Sequence, residues 1–252
     1  MAPELTAEEL GAAMDGCVAE VLWEVACDAP PVDAFAVAYA LGVVVAEDAN
    51  QASRARYARW ADTNSSGDTR VILVRPEDRP ERRQWAVAHE IGELTAHRVF
   101  YRLGVLPTDV APTDRESIAN GLASRLLLPT AWLRRDGAEL DWDLLDLKQV
   151  YATASHELIA RRWLEACRMP VVVTVMDHAE VSWRRTNFAG VRPPLFLAER
   201  EAWRECHESG LAVEFASRQA SVERARCWPV HEPAWRREVL LTELPEVDGW
   251  DL

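Results

Sequence analysis

The stretch Gln84-Trp-Ala-Val-Ala-His-Glu-Ile-Gly-Glu-Leu-Thr-Ala-His97 constrains this chain more than any other. Its residues are mostly good helix formers, and Pro80 lies just upstream. Proline suits a first helical turn, where its missing N–H would have no intrahelical partner. On a helix, residues i and i+4 share a face one turn apart. The imidazole of His89 and the carboxylate of Glu93 therefore converge on one point, with Glu90 to the side of it.

That donor set suggests metal chemistry. It is the spacing of the HExxH zinc helix, with Glu93 where the motif has its second histidine. In that motif two side chains hold the ion, and the glutamate between them takes a proton from water that the ion activates. The same residues have a second reading, a solvated helix face on which Glu90 and Glu93 pair with Arg82, Arg83 or Arg98. A metal site needs a third ligand from elsewhere, and Arg115-Glu-Ser-Ile-Ala-Asn-Gly-Leu-Ala-Ser-Arg-Leu-Leu-Leu-Pro129 offers Glu116. Ile118, Leu122, Leu126 and Leu127 give this segment an apolar helical face that can pack on the His89 helix with Glu116 turned inward. Thr113 or Asp114 is the expected cap, and Pro129 the expected end.

Together these segments resemble the ImmA/IrrE family of zinc metallopeptidases. The matching residues are Ala88-His-Glu-Ile-Gly92, then Glu116 three positions before Ala119-Asn120, then Leu126-Leu-Leu-Pro129. Pro31 to Val45 looks like the helix and strand that open the family's domain, and Arg70 to Arg83 like its strand leading into the zinc helix. The resemblance implies an α+β fold: a zincin-like peptidase domain over 1–138, a helix-turn-helix-like segment over 139–168, and a small C-terminal α/β region over 169–252, sensor-like by analogy. It further implies His89, Glu93 and Glu116 as metal ligands, Glu90 as general base, and zinc as the ion. The implied activity is that of an endopeptidase cutting a regulatory protein, such as a helix-turn-helix repressor, in a stress response or in transcription regulation. A second reading is a catalytically impaired member acting as a regulatory binding protein.

Glu93 departs from the family pattern. Exchanging a neutral imidazole for a carboxylate lowers the formal charge around a dication from +1 to zero, so bound water should be less acidic and a scissile carbonyl less polarised. Oxygen-rich ligation also shifts preference from zinc towards harder ions such as manganese. His97 does not replace the missing imidazole, because eight residues span about 12 Å of helix. It reads as a surface residue, or one bonded to Glu93; Tyr101 and His156 are candidates for stabilising an oxyanion.

The formal net charge of −13 and the single lysine, Lys148, disfavour direct DNA binding and attraction to anionic membranes. In the helix pair over Asp141 to Cys167 the second helix starts Ser155-His-Glu, with Arg161 and Arg162 further along, which favours packing or repressor docking over base reading. No run approaches the roughly 20 apolar residues of a membrane span, and Glu4, Glu8 and Glu9 stand where a signal peptide is basic. The expected location is the cytoplasm. Cys17, Cys27, Cys167, Cys206 and Cys227 show no CxxC spacing and read as reduced thiols. Elements are expected at Thr6 to Ala26, Asp33 to Gly42 and Val43 to Ala46, and as a hairpin from Arg54 to Val74 turning at Asn64 to Gly67. A hairpin over Val171 to Trp183, a helix over Ala198 to His207 and a strand over Val239 to Thr242 follow, with His178, His207 and His231 scattered and lacking ligand spacing.

Overall fold

In the computed structural model, which describes residues 6–61, 68–216, 221–232 and 234–245, α1 (Ala7–Glu24) starts on a reciprocal cap. The Thr6 hydroxyl accepts the Glu9 N–H at 3.1 Å, and the Glu9 carboxylate accepts the Thr6 N–H at 2.9 Å. Its apolar stripe, including Met14, Cys17, Val18, Val21 and Leu22, is buried. Asp33 caps α2 (Ala34–Ala40), its carboxylate accepting the Phe35 N–H at 2.9 Å.

Three strands follow: β1 (Val43–Glu47), β2 (Ala55–Ala61) and β3 (Asp68–Val74), in the order β1-β3-β2. β1 runs parallel to β3 and β2 antiparallel to it, which makes β2 an edge strand among the described residues. The expected turn at Asn64 to Gly67 lies outside the described residues.

The central helix α3 (Pro80–Leu103) has Pro80 in its first turn and stops at Gly104, whose left-handed φ of 65° a side chain would disfavour. Helix α4 (Pro112–Leu127) begins before either expected cap. Pro112 occupies its first turn behind Ala111, which makes no side-chain cap, so Thr113 and Asp114 lie inside the helix. α5 (Thr130–Glu139) completes the run.

The chain forms two compact units, Met1–Leu133 with Val150–Ser155, and Arg134–Gln149 with His156–Leu252. In the first, α3 and α4 pack against each other, and Ile91 and Val99 of one and Leu122 and Leu127 of the other are all at most 2% exposed.

The second unit holds most of the expected helical segment, α6 (Leu144–Val150) and α7 (His156–Ala166). It also holds α8 (Leu197–Ser209) and a five-stranded antiparallel sheet. The strands are β4 (Val171–Asp177), β5 (Glu180–Thr186), β6 (Val213–Ala216), β7 (Arg224–Glu232) and β8 (Trp235–Glu243), ordered β5-β4-β8-β7-β6. Sequence reading missed β6 and β7 and saw only the middle of β8. β7 hides its character behind two arginines and Pro229; the proline is tolerated because β6 pairs only with Arg224 to Cys227, so Pro229 lies past the end of that neighbour.

Charge is buried in this unit. The Arg184 guanidinium meets both oxygens of Glu199, at 2.7 and 2.9 Å, and Glu199 also accepts the Thr242 hydroxyl at 2.6 Å and the Phe196 N–H at 2.7 Å. On α7, Arg161 pairs with Glu157 and lies over the Trp183 ring, and Arg162, only 1% exposed, pairs with Glu165. Both arginines that a DNA-reading role would use are thus engaged inside the unit. No helix among the described residues is long and apolar enough to cross a membrane.

Candidate metal centre

The α3–α4 seam brings His89, Glu93 and Glu116 together. His89 Nε2 lies 3.7 Å from Glu93 Oε1 and 3.7 Å from Glu116 Oε2, and one donor atom of each residue lies within 4.8 Å of the other two. The i,i+4 spacing on α3 supplies the first two groups. The third depends on how closely α4 approaches, and that is set by Gly92. A Cβ at this position would stand 2.6 Å from the Ala119 carbonyl oxygen, so the bare glycine permits the contact.

Asn120, one helical turn after Glu116, joins the two helices. Its amide nitrogen donates to Glu116 Oε1 at 3.1 Å, and its carbonyl oxygen lies 3.1 Å from His89 Nδ1. With the amide so oriented, Nδ1 carries the proton and Nε2 turns a bare lone pair towards the two carboxylates. In the sequence Asn120 carries no assigned role. Its i+4 spacing from Glu116 was the available sign that it shares that face.

The residues fit a divalent ion. Metal–ligand bonds of about 2.0–2.2 Å place ligands on a tetrahedron roughly 3.3 Å apart, close to the separations found, and a histidine ligand that donates its other N–H to a fixed oxygen is a common supporting arrangement. The side chains of Glu93 and Glu116 are 51% and 58% exposed and that of His89 17%, so the donors open onto solvent.

Glu90 points elsewhere on α3 and is 6% exposed. Its Oε2 accepts the Tyr57 backbone N–H of β2 at 2.6 Å, and its acidity is lowered by burial first and then by the neighbouring Glu93 charge, which raise its pKa against the pull of that hydrogen bond. The Tyr57 N–H points away from β3, so Glu90 sits against the outer edge of β2. A cleft lined by Arg54, Arg56, Tyr57, Trp85, His89 and Glu116 runs along this side.

The solvated-face reading assigned arginines to Glu90 and Glu93, and the structure sends them elsewhere. Arg82 pairs with Glu77, Arg83 with Glu47 and Arg98 with Glu24. His97 bonds the Leu94 carbonyl at 3.0 Å rather than Glu93, and Tyr101 is 88% exposed further along α3.

Among solved structures the fold is shared with a Mycobacterium tuberculosis transcriptional regulator, at a TM-score of 0.63 and 17% sequence identity, over 92% of this chain and 75% of that one. No curated protein matches the sequence. The family model for Peptidase_M78, described as an IrrE N-terminal-like domain, matches residues 38–164, a span holding α3, α4 and every residue of the site. Since that span is half of the sequence, the chain belongs to the ImmA/IrrE family, Peptidase_M78.

Proposed function

We propose that the protein is a metal-dependent endopeptidase that cleaves a specific regulatory protein, such as a helix-turn-helix repressor. The observation that carries this reading is the convergence of His89, Glu93 and Glu116 beside the buried carboxylate of Glu90. The family is one of metallopeptidases. A divalent ion bound there supplies Lewis acidity, polarising a peptide carbonyl and making water more acidic.

The chain's own residues do the rest. An extended peptide can lie in the cleft beside the outer edge of β2, where the Tyr57 N–H and the Ala55 carbonyl already bond to Glu90 and Ser53, and this brings its carbonyl to the triad. Glu90 Oε2 is held by Tyr57, so Oε1 is the oxygen free to take a proton from water and return it to the leaving amine. Asn120 keeps His89 in the tautomer that offers Nε2. Zinc is the family's usual ion; the second carboxylate at Glu93 favours a slower enzyme, or one using manganese, with its activity displaced to higher pH. The fold neighbour is named a transcriptional regulator, which suits a partner in gene control.

Two observations favour a second reading, a catalytically impaired regulatory binding protein. Glu93 weakens the charge of the site, and Glu90 is already engaged by its own sheet.

The test pairs metal analysis with cleavage of candidate repressors. The expected result is that His89→Ala loses an equivalent of metal and that Glu90→Gln keeps the fold and the metal while cleavage falls by roughly 10²–10⁴-fold. Partner binding with no cleavage by the unaltered protein selects the second reading.

A further inference from the structure

The second unit gathers another set of metal-capable groups that sequence spacing does not reveal. His207 lies near the end of α8, His231 on β7 and Glu238 on β8. The histidines, read from sequence as scattered, meet at one atom: His207 Nδ1 is 2.8 Å and His231 Nε2 2.6 Å from Glu238 Oε1. One donor atom of each residue lies within 4.8 Å of the others. The second oxygen, Oε2, accepts the Trp203 indole N–H at 3.2 Å, which holds the carboxylate from the far side, and the Trp203 ring lies 5.4 Å from that of His207.

Glu238 is fully buried, and the two imidazoles are about a quarter exposed. Its partners set it apart from the other enclosed carboxylates of this unit. Glu199 is matched by Arg184, Glu243 by Arg224 and Arg226, and Asp136 by Arg135. Where only neutralisation of a buried carboxylate is needed, this unit uses a guanidinium, which is always charged. Glu238 instead receives two imidazoles and an indole. Each ring offers a nitrogen lone pair once its N–H is placed elsewhere, so the three groups that meet here can also hold an ion.

We propose that His207, His231 and Glu238 form a second divalent-metal site, for Zn²⁺ first, independent of the site on α3. Two imidazoles and one carboxylate are a donor set for zinc and related transition ions rather than for calcium or magnesium. The present separations are hydrogen-bond lengths. Bonds of about 2.0–2.2 Å to the ion require them to widen to roughly 3.3 Å, a movement of a fraction of an ångström at partly exposed rings. The exposed sides of the imidazoles leave a fourth position open to water. The ion would tie α8 to the β7–β8 pair, which α8 otherwise meets through Ala202, Cys206, Cys227 and Leu240, so it would act as a structural or metal-sensing clasp.

The test uses the full chain carrying His89→Ala, which disables the first site and leaves the second unit unaltered. After chelator stripping it is titrated with Co²⁺ and with Zn²⁺. The expected results are binding of about one equivalent, visible Co²⁺ absorption and a higher Tm, with affinity lowered by roughly 100-fold or more when His207→Gln and His231→Gln are added. No metal uptake by the His89→Ala chain, or uptake that the two added substitutions leave unchanged, overturns the proposal. Should the multiply substituted chain fail to fold, the imidazole ¹⁵N resonances of the His89→Ala chain decide. The two histidine rings must shift with Zn²⁺, and rings that respond to pH but not to the metal overturn it.

Discussion

The two units treat their carboxylates in opposite ways. In the first, Glu93 and Glu116 are more than half exposed, and both face a single imidazole. In the second, Glu199 and Glu243 are enclosed and locked by arginines. The difference follows from desolvation. A carboxylate meant to receive an ion or a substrate is better left near water, where its lone pairs remain available. Where a carboxylate such as Glu199 or Glu243 is enclosed in the sheet, a charged, multidentate guanidinium offsets the cost of taking it out of water. The first unit instead fixes its geometry with uncharged contacts, the Gly92–Ala119 approach and the Asn120 bridge.

Three substitutions break or sharpen this contrast. The largest effect is expected from Glu199→Ala, which strands Arg184 in the sheet and should cost about 3–5 kcal/mol of stability in chemical denaturation. A loss below 1 kcal/mol would remove the distinction between the units. Next is Gly92→Ala. The added methyl meets backbone rather than a movable side chain, so a loss of about 1–3 kcal/mol is expected despite alanine's better helix propensity. Metal affinity at His89 should fall with it, because α4 carries Glu116 away, and calorimetry of metal binding checks this.

The smallest effect is expected at the rim of the second unit. Hydrogen bonding to the Arg237 guanidinium holds the Asp177 carboxyl below its ordinary range. A depressed carboxylate contributes stability that is present above the unfolded value, near 4, and lost as pH falls through the folded one. Asp177→Asn should therefore cost about 1 kcal/mol near neutrality. Its stability curve and that of the unaltered protein should converge below a pH of about 4.

How much of this was legible in the sequence depended on how local the cause was. The start of α3 follows from Pro80, and the meeting of His89 with Glu93 from one helical turn. The start of α4 was misplaced because Thr113 and Asp114 look like caps, yet Pro112 pre-forms the first turn and puts the cap position at Ala111. Contacts made by backbone left no trace at all. The Tyr57 N–H on Glu90 depends on which side of β2 faces α3, and every residue except proline has such a group. Glu238 was hidden for another reason. Its two histidines come from different elements, and only the β7–β8 register and the packing of α8 bring them to one oxygen.

The Gly92 seam has one more consequence. Because α3 meets α4 there through main chain, the spacing of the two helices does not depend on which side chain follows at position 93. The chemistry of the pocket can therefore be retuned by exchanging that one donor, carboxylate or imidazole, while the frame presenting it stays put. Such a frame allows a peptidase to shade into a non-cleaving receptor, or the reverse, by a single replacement.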